Sequence, residues 1–130
     1  MARPKNLKYT KSHEWVRVQG DVATVGITDF AVEHLGDLVF VDLPEAGRRL
    51  EAGATAAEIE SVKAVGEVYA PVTGEVVEVN GDLASDQSPL AQDPFGEGWL
   101  FKVRLGAPLP SGLMDLAGYE AQLASEPPPA

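Results

Sequence analysis

Ala54-Thr55-Ala56-Ala57-Glu58-Ile59-Glu60-Ser61-Val62-Lys63-Ala64-Val65-Gly66-Glu67-Val68-Tyr69-Ala70 is the stretch whose reading decides the fold. Its opening run ends in alternating acidic and apolar residues. Its closing run resumes with β-branched and aromatic residues ahead of Pro71, and both runs read as strands. The pentapeptide between them, Glu60 to Ala64, then forms the tip of a hairpin, from which Lys63 projects its ammonium on a rigid scaffold. A lysine on a turn is by itself a solvated surface residue, so its neighbours must supply a role.

Two turn signals bracket this hairpin. Pro44-Glu45-Ala46-Gly47 and Pro71-Val72-Thr73-Gly74 both have the form of a β-turn with proline early and glycine late. Gly36-Asp37-Leu38-Val39-Phe40-Val41 precedes one and Gly66-Glu67-Val68-Tyr69-Ala70 the other, which reads as a weak internal duplication. Gly47 and Gly74 permit the turn geometry that sets how far the hairpin projects.

Outward from the hairpin the chain is β-rich. Val22 to Ile27 and Trp99 to Leu105 read as strands, the latter with Trp99, Phe101, Val103 and Leu105 on one face against Lys102 and Arg104. Leu38 to Leu43 is apolar on both faces, as expected of a strand enclosed by two sheets. Thr28 or Asp29 caps a short helix that runs to Leu35 and stops at Gly36. Ser111 caps a second helix with an apolar stripe of Leu113, Leu116, Ala117 and Leu123. Proline, glycine, aspartate and serine crowd residues 81–98, which read as a long surface loop. Trp15, Trp99 and Phe101 are assigned to packing. Residues 1–124 form a single domain, and 125–130, ending in three prolines, form a disordered tail.

Composition excludes several classes. The chain has 130 residues, a net charge of −10 and no cysteine. Disulfides, thiolate metal ligands and a cysteine nucleophile are therefore absent, and redox chemistry must arrive on a cofactor. Arg3, Lys5, Lys8 and Lys11 fall at the N-terminal end, leaving six basic residues against twenty acidic ones in the remainder. That body repels phosphate backbones, so no nucleic-acid partner is expected. Partners should offer basic or polar surfaces and bind less well in high salt. There is no apolar run of membrane-spanning length and no signal-peptide core, so no membrane association is expected.

Several separated motifs resemble those of the glycine cleavage system H proteins. Besides the lysine hairpin and the segment Tyr69 to Asn80, they are Tyr9 to Val16 with its His13-Glu14-Trp15 lead, Val25 to Ala31, Leu35 to Pro44, and Asp93-Pro94-Phe95-Gly96-Glu97-Gly98-Trp99-Leu100. The likeness spans residues 7–123. It implies a mainly β barrel-sandwich hybrid of lipoyl-domain type, two antiparallel sheets with a short internal helix and a C-terminal helix. It further implies lipoate attached to Lys63 and a carrier role without catalysis of its own, as a cytoplasmic monomer in a bacterium or in the mitochondrial matrix if the chain is a eukaryotic mature form. The partners implied are glycine decarboxylase (P protein), the tetrahydrofolate-dependent aminomethyltransferase (T protein), dihydrolipoyl dehydrogenase (L protein) and a lipoate ligase or lipoyl transferase. One departure stands out. Where such proteins usually carry Pro-x-Leu-Val-Asn before Asp-Pro-Tyr, this chain has Ser88-Pro89-Leu90-Ala91-Gln92 before Asp93-Pro94-Phe95.

The resemblance also implies a shelter for the loaded arm. An aminomethyl group on sulfur falls apart when its amine loses a proton in water, so carboxylates and hydroxyls should hold the ammonium form. Ser12, Glu14 and Glu67 match family positions for this task, and His34 matches a further one. Glu58 and Glu60 flank the hairpin and are placed to present Lys63 to the attaching enzyme, although glutamates there also keep edge strands soluble. Rival readings are a lipoyl relay to other enzymes, a lipoyl domain of an acyltransferase complex and a biotinyl domain; Val62 and Ala64 oppose the last, which expects methionine on both sides of the lysine. A Schiff-base lysine would need a desolvated pocket, and Glu58, Glu60 and Glu67 around Lys63 work against one. No metal site is expected, the candidates His13, Glu14, Glu33 and His34 being a poor set of ligands.

Overall fold

β-Branched runs pair into two antiparallel sheets in the computed structural model, which describes residues 3–125. Along the chain these are β1 (Lys8–Tyr9), β2 (Glu14–Gln19), β3 (Val22–Ile27), α1 (Asp29–Leu35), β4 (Leu38–Asp42), β5 (Arg49–Leu50), β6 (Thr55–Ser61), β7 (Val65–Tyr69), β8 (Gly74–Val79), α2 (Ser88–Gln92), β9 (Phe101–Leu105) and α3 (Leu116–Ser125), with a 3-10 turn over Gly81–Ala84. The larger sheet has the order β1-β2-β3-β9-β8-β5 and the smaller one β4-β6-β7. This is the mainly β architecture of two antiparallel sheets that the resemblance implies.

The bracketing turns acquire a geometric meaning. Each carries the chain from the small sheet to the large one, β4 into β5 and β7 into β8, and β5 and β8 then pair. The repeated segments β4 and β7 flank β6 on its two sides. Gly47 takes a φ of +93°, a left-handed turn conformation. Gly74 is already in β8 and needs glycine for another reason, since a β-carbon there would lie 2.0 Å from the Arg104 carbonyl oxygen.

Strand alternation sends residues to opposite faces of the large sheet. On one face Val16, Val25, Phe101, Val103 and Val76 pack with Val41, Ile59 and Val68 of the small sheet in the main core. On the other face Leu7, Tyr9, Trp15, Phe95 and Tyr119 form a separate aromatic core, joined by Trp99, Leu116 and Leu123. Tyr9 and Tyr119 stack with centroids 4.8 Å apart, and burial pushes the Tyr9 hydroxyl up to about 12. The packing roles of Trp15, Trp99 and Phe101 are as expected.

Five expectations need correction. β4 is not enclosed: it buries Val41, but among the described residues the outer face of the small sheet has no covering layer, so Phe40 is 45% exposed, and Val39, at the register shift between Leu38 and Phe40, is 50% exposed. β9 starts at Phe101 and not at Trp99. The C-terminal helix begins at Leu116, where the Asp115 carboxylate accepts the Gly118 N–H at 2.8 Å, so Asp115 and not Ser111 fills the capping role. Its fully buried side chain is Tyr119, while Ala117 is exposed. Residues 81–98 are not a bare loop, for the 3-10 turn and α2 bury Leu83 and Leu90 completely. Ser125 closes α3, and the rest of the proposed tail, 126–130, lies outside the described residues. α1 is as expected: Thr28 accepts the Ala31 N–H at 3.4 Å, and Gly36 ends the helix at a φ of +83°.

Candidate functional site

Lys63 occupies the exposed tip between β6 and β7. Ser61 builds this tip. Its N–H donates to the Ala64 carbonyl at 2.8 Å, its hydroxyl donates to the same oxygen at 3.1 Å, and the hydroxyl accepts the Ala64 N–H at 3.0 Å. Val62 and Lys63 thus form a two-residue loop closed on both sides. The Val62 N–H donates to the Asp37 carbonyl at 2.9 Å, tying the tip to the segment after α1. The Lys63 stem lies across that segment, with Cε 3.5 Å from where a β-carbon on Gly36 would stand. Ser61 had no role in the sequence reading; the signal for it was a small hydroxyl residue just ahead of a tight loop.

Beside the tip lies a cleft of about 310 Å³. Phe30, Ala31, His34 and Leu35 of α1 form one wall, Ile59, Gly66 and Val68 of the small sheet form the floor, and Ser12, His13 and Glu67 stand at the margins. The Lys63 stem crosses Gly36, the residue after Leu35, so the lysine and the cleft adjoin. Gly66 permits the close approach of α1, because a β-carbon there would lie 2.9 Å from Leu35 Cδ2.

Three of the four residues expected in the cleft line it: Ser12, His34 and Glu67. Glu14 is set behind them, 1% exposed, as a clasp between the sheets. Its Oε1 accepts the Thr10 hydroxyl at 2.6 Å and the Ser12 hydroxyl at 2.5 Å, and its Oε2 accepts the Tyr69 N–H of edge strand β7 at 3.3 Å. The Tyr69 hydroxyl donates to Glu67 Oε2 at 2.8 Å, a bond that raises the tyrosine's own pKa. Glu14 therefore reaches the cleft through Ser12 and through the strand that bears Glu67.

His13 completes the margin, and sequence reasoning had considered it only as a metal ligand. Among the described residues it is the one non-glycine residue with positive φ, +73°, a conformation costing about 1–2 kcal/mol. Its Nδ1 lies 2.8 Å from the Tyr119 hydroxyl, which also lies 2.6 Å from Thr28 Oγ1. Its ring packs on Phe30 with centroids 4.7 Å apart. Among the described residues no group of three or more histidine, aspartate and glutamate side chains is placed to hold a metal.

Glu58 and Glu60 lie on the exposed face of the small sheet, where Glu60 pairs with Phe40 and Val65, and Glu58 with Asp42 and Glu67. Three carboxylates side by side repel one another and cost stability, so this acidic row is not there for the fold's sake. Val62, 74% exposed, Val65, Val39 and Phe40 add apolar surface next to it. No helix among the described residues is long and apolar enough to cross a membrane.

Comparison with known proteins shows what the whole chain is similar to. Residues 7–126 match the family model described as Glycine cleavage H-protein. The glycine cleavage system H protein of Rubrobacter xylanophilus is 57% identical over 78% of this chain and 81% of its own. That of Rhodopirellula baltica is 54% identical over 94% of this chain and 96% of its own. The crystal structure of the H protein from Mycobacterium marinum superposes with a TM-score of 0.88 at 41% identity, covering 94% of this chain and 99% of that one.

Proposed function

This chain belongs to the glycine cleavage H-protein family, and on that premise we propose that Lys63 carries its lipoyl group and that the adjoining cleft shelters the arm between partners. Family membership makes the protein the lipoyl carrier component of the glycine cleavage system. The attachment point, the sheltering residues and the individual partners are our reading. The observation that carries it is the exposed, doubly closed lysine tip beside an apolar cleft with polar margins.

The residues present fit such a group. The cleft is at the lower end of the about 300–1,000 Å³ range of small-ligand pockets, with an apolar floor for an alkyl chain and donors and acceptors confined to the margin. When attached, the lipoyl disulfide supplies the sulfur chemistry that accepts and releases the one-carbon unit and is reoxidised by thiol–disulfide exchange. The protein supplies position and environment. Ser61 holds the loop closed and so keeps Lys63 at an exposed tip that an attaching enzyme can reach. Ile59, Val68 and Leu35 exclude water from the floor, which strengthens polar contacts at the margin. Glu67 offers an ammonium-bearing cargo a carboxylate, and Ser12, its hydroxyl proton committed to Glu14, offers an oxygen that can only accept. Both favour the protonated amine.

Exchange among several enzymes requires an arm that leaves the cleft easily, and a shallow cleft on a non-catalytic carrier suits that requirement. Glycine decarboxylase, the aminomethyltransferase and dihydrolipoyl dehydrogenase would meet the exposed side of the small sheet, where Asp42, Glu58, Glu60 and Glu67 call for basic surfaces. We read the carrier as a cytoplasmic monomer, its relatives compared above being bacterial. Glu58 and Glu60 we assign to presenting the tip, and Gly47 and Gly74 to setting the crossovers that let it project.

The decisive experiment is intact mass. Protein from a lipoate-competent host should carry one lipoyl increment that vanishes in Lys63→Arg. An unmodified wild type from that host, or an increment that persists in the variant, overturns the assignment.

A further inference from the structure

We propose that Tyr119 is a positioning residue whose single buried hydroxyl holds one margin of the cleft to the cap of its α1 wall, making the C-terminal helix part of the arm's shelter. The hydroxyl lies 2.8 Å from His13 Nδ1 and 2.6 Å from Thr28 Oγ1. His13 lines one margin of the cleft, and Thr28 caps α1, the wall whose Phe30 packs on the His13 ring. The backbones of His13 and Thr28 already meet at the end of the β2–β3 ladder, where the Thr28 N–H donates to the His13 carbonyl; what one atom on α3 adds is a tie between their side chains, the imidazole and the capping hydroxyl.

The backbone of His13 points the same way. A left-handed conformation at a non-glycine residue persists only where its surroundings impose it. Here the impositions are the Tyr119 bond, the Phe30 ring, the His13 N–H donating to the Thr10 carbonyl at 3.2 Å and the His13 carbonyl accepting the Thr28 N–H at 3.0 Å. Tyr119 is itself immobilised, fully buried and stacked on Tyr9. A hydroxyl has one proton and two acceptor sites, so this one can serve both partners in either direction. Its loss leaves the stacked ring and the backbone bond between Thr28 and His13 in place but removes the tie between the imidazole and the capping hydroxyl.

The proposal rests on the reading of the cleft as a shelter, and the experiment separates the two. Tyr119→Phe removes the hydroxyl alone. Tyr9→Phe is the control, because the Tyr9 hydroxyl donates to the Pro4 carbonyl, away from the cleft, from the same stack. In lipoylated protein loaded with its cargo, Tyr119→Phe should shorten the cargo's lifetime in water by about fivefold, the size of one neutral hydrogen bond, and Tyr9→Phe should leave it unchanged. In unlipoylated protein, the imidazole nitrogen resonances of His13 and the amide exchange of Ala31 should shift in Tyr119→Phe only. Equal effects of the two variants would reduce Tyr119 to a packing residue and overturn the proposal. Ser12→Ala and Glu67→Ala, run beside them, address the shelter itself: if neither shortens the lifetime the shelter reading fails, and if both do while Tyr119→Phe does not, only the present proposal fails. Should Tyr119→Phe not fold, the wild-type protein decides: the Tyr119 hydroxyl proton should exchange slowly enough to be seen by NMR and show contacts to both the His13 ring and the Thr28 side chain, and a hydroxyl proton exchanging too fast to be seen would overturn the proposal.

Discussion

The hairpin tip and the cleft beside it serve one arm but are built in opposite ways. Ser61 and Ala64 close the tip almost by themselves through three hydrogen bonds, with the Asp37 carbonyl as a long-range tie. The cleft has no local builder: Ser12, Phe30, His34 and Gly66 come from the β1–β2 connection, α1 and β7. The difference teaches that attachment and shelter are separable properties. A substitution can abolish one and spare the other.

The largest effect expected is also the cleanest separation. Lys63→Arg should lose lipoylation completely, yet leave stability within about 0.5 kcal/mol, because an exposed loop residue contributes little to folding. A melting point lowered by much more would show that the tip supports the cleft. Glu14→Ala should do the reverse. It strips the acceptor from two hydroxyls and one edge-strand N–H around a carboxylate that is 1% exposed, a loss of about 2–4 kcal/mol by denaturant titration. Lipoylation should persist at lower temperature while the cargo is lost faster. A cost below about 1 kcal/mol would remove Glu14 as the clasp between sheets.

The same contrast explains what could be read from the sequence. The hairpin was legible because strand alternation and the interruption at Ser61-Val62-Lys63 are consecutive in the chain. The α1 cap was legible for a similar reason, with Thr28 and Gly36 marking both ends of seven residues. β4 was misread because an apolar run cannot say which of its faces finds a covering sheet; Phe40 stays exposed because the outer face of the small sheet has no cover among the described residues, and Val39 because it falls at the register shift between Leu38 and Phe40. In residues 81–98 turn-forming residues outnumber Leu83 and Leu90, which are buried by contacts that local composition does not record. Ser111 and Asp115 are both good caps by type, and only the Asp115 bond to Gly118 decides between them. Family resemblance supplied Ser12, His34 and Glu67, whereas Tyr119 meets His13 from 106 residues away and left no local trace.

Gly66→Ala tests the cleft with a middling effect. The new methyl would stand 2.9 Å from Leu35 Cδ2, the far end of a flexible side chain that can turn aside. The cost should be about 1 kcal/mol, below that of Glu14→Ala, and it falls where β7 and α1 meet over the cleft floor. Lipoylation should be normal and the lifetime of the cargo shortened. Unchanged lifetime with the expected stability loss would mean that the arm does not use this part of the floor.

Glu58→Gln and Glu60→Gln should have the smallest effect, and it falls on attachment instead of shelter. Both side chains are exposed on the outer face of the small sheet, so stability should move by less than about 0.5 kcal/mol, or rise slightly at Glu58, whose cross-strand neighbours Asp42 and Glu67 are also acidic. If these charges guide an attaching enzyme to Lys63, each neutralisation should slow lipoylation by about twofold to fivefold at low ionic strength, because rim charges act chiefly on the encounter rate. The deficit should shrink toward nothing near 0.5 M salt, where the screening length is on the order of 4 Å. Rates equal to wild type at both ionic strengths would leave the two glutamates as solubilising residues of an exposed sheet face. The tip would then be recognised through Val62, Val65 and the lysine itself, and attachment would be as local in its recognition as in its construction.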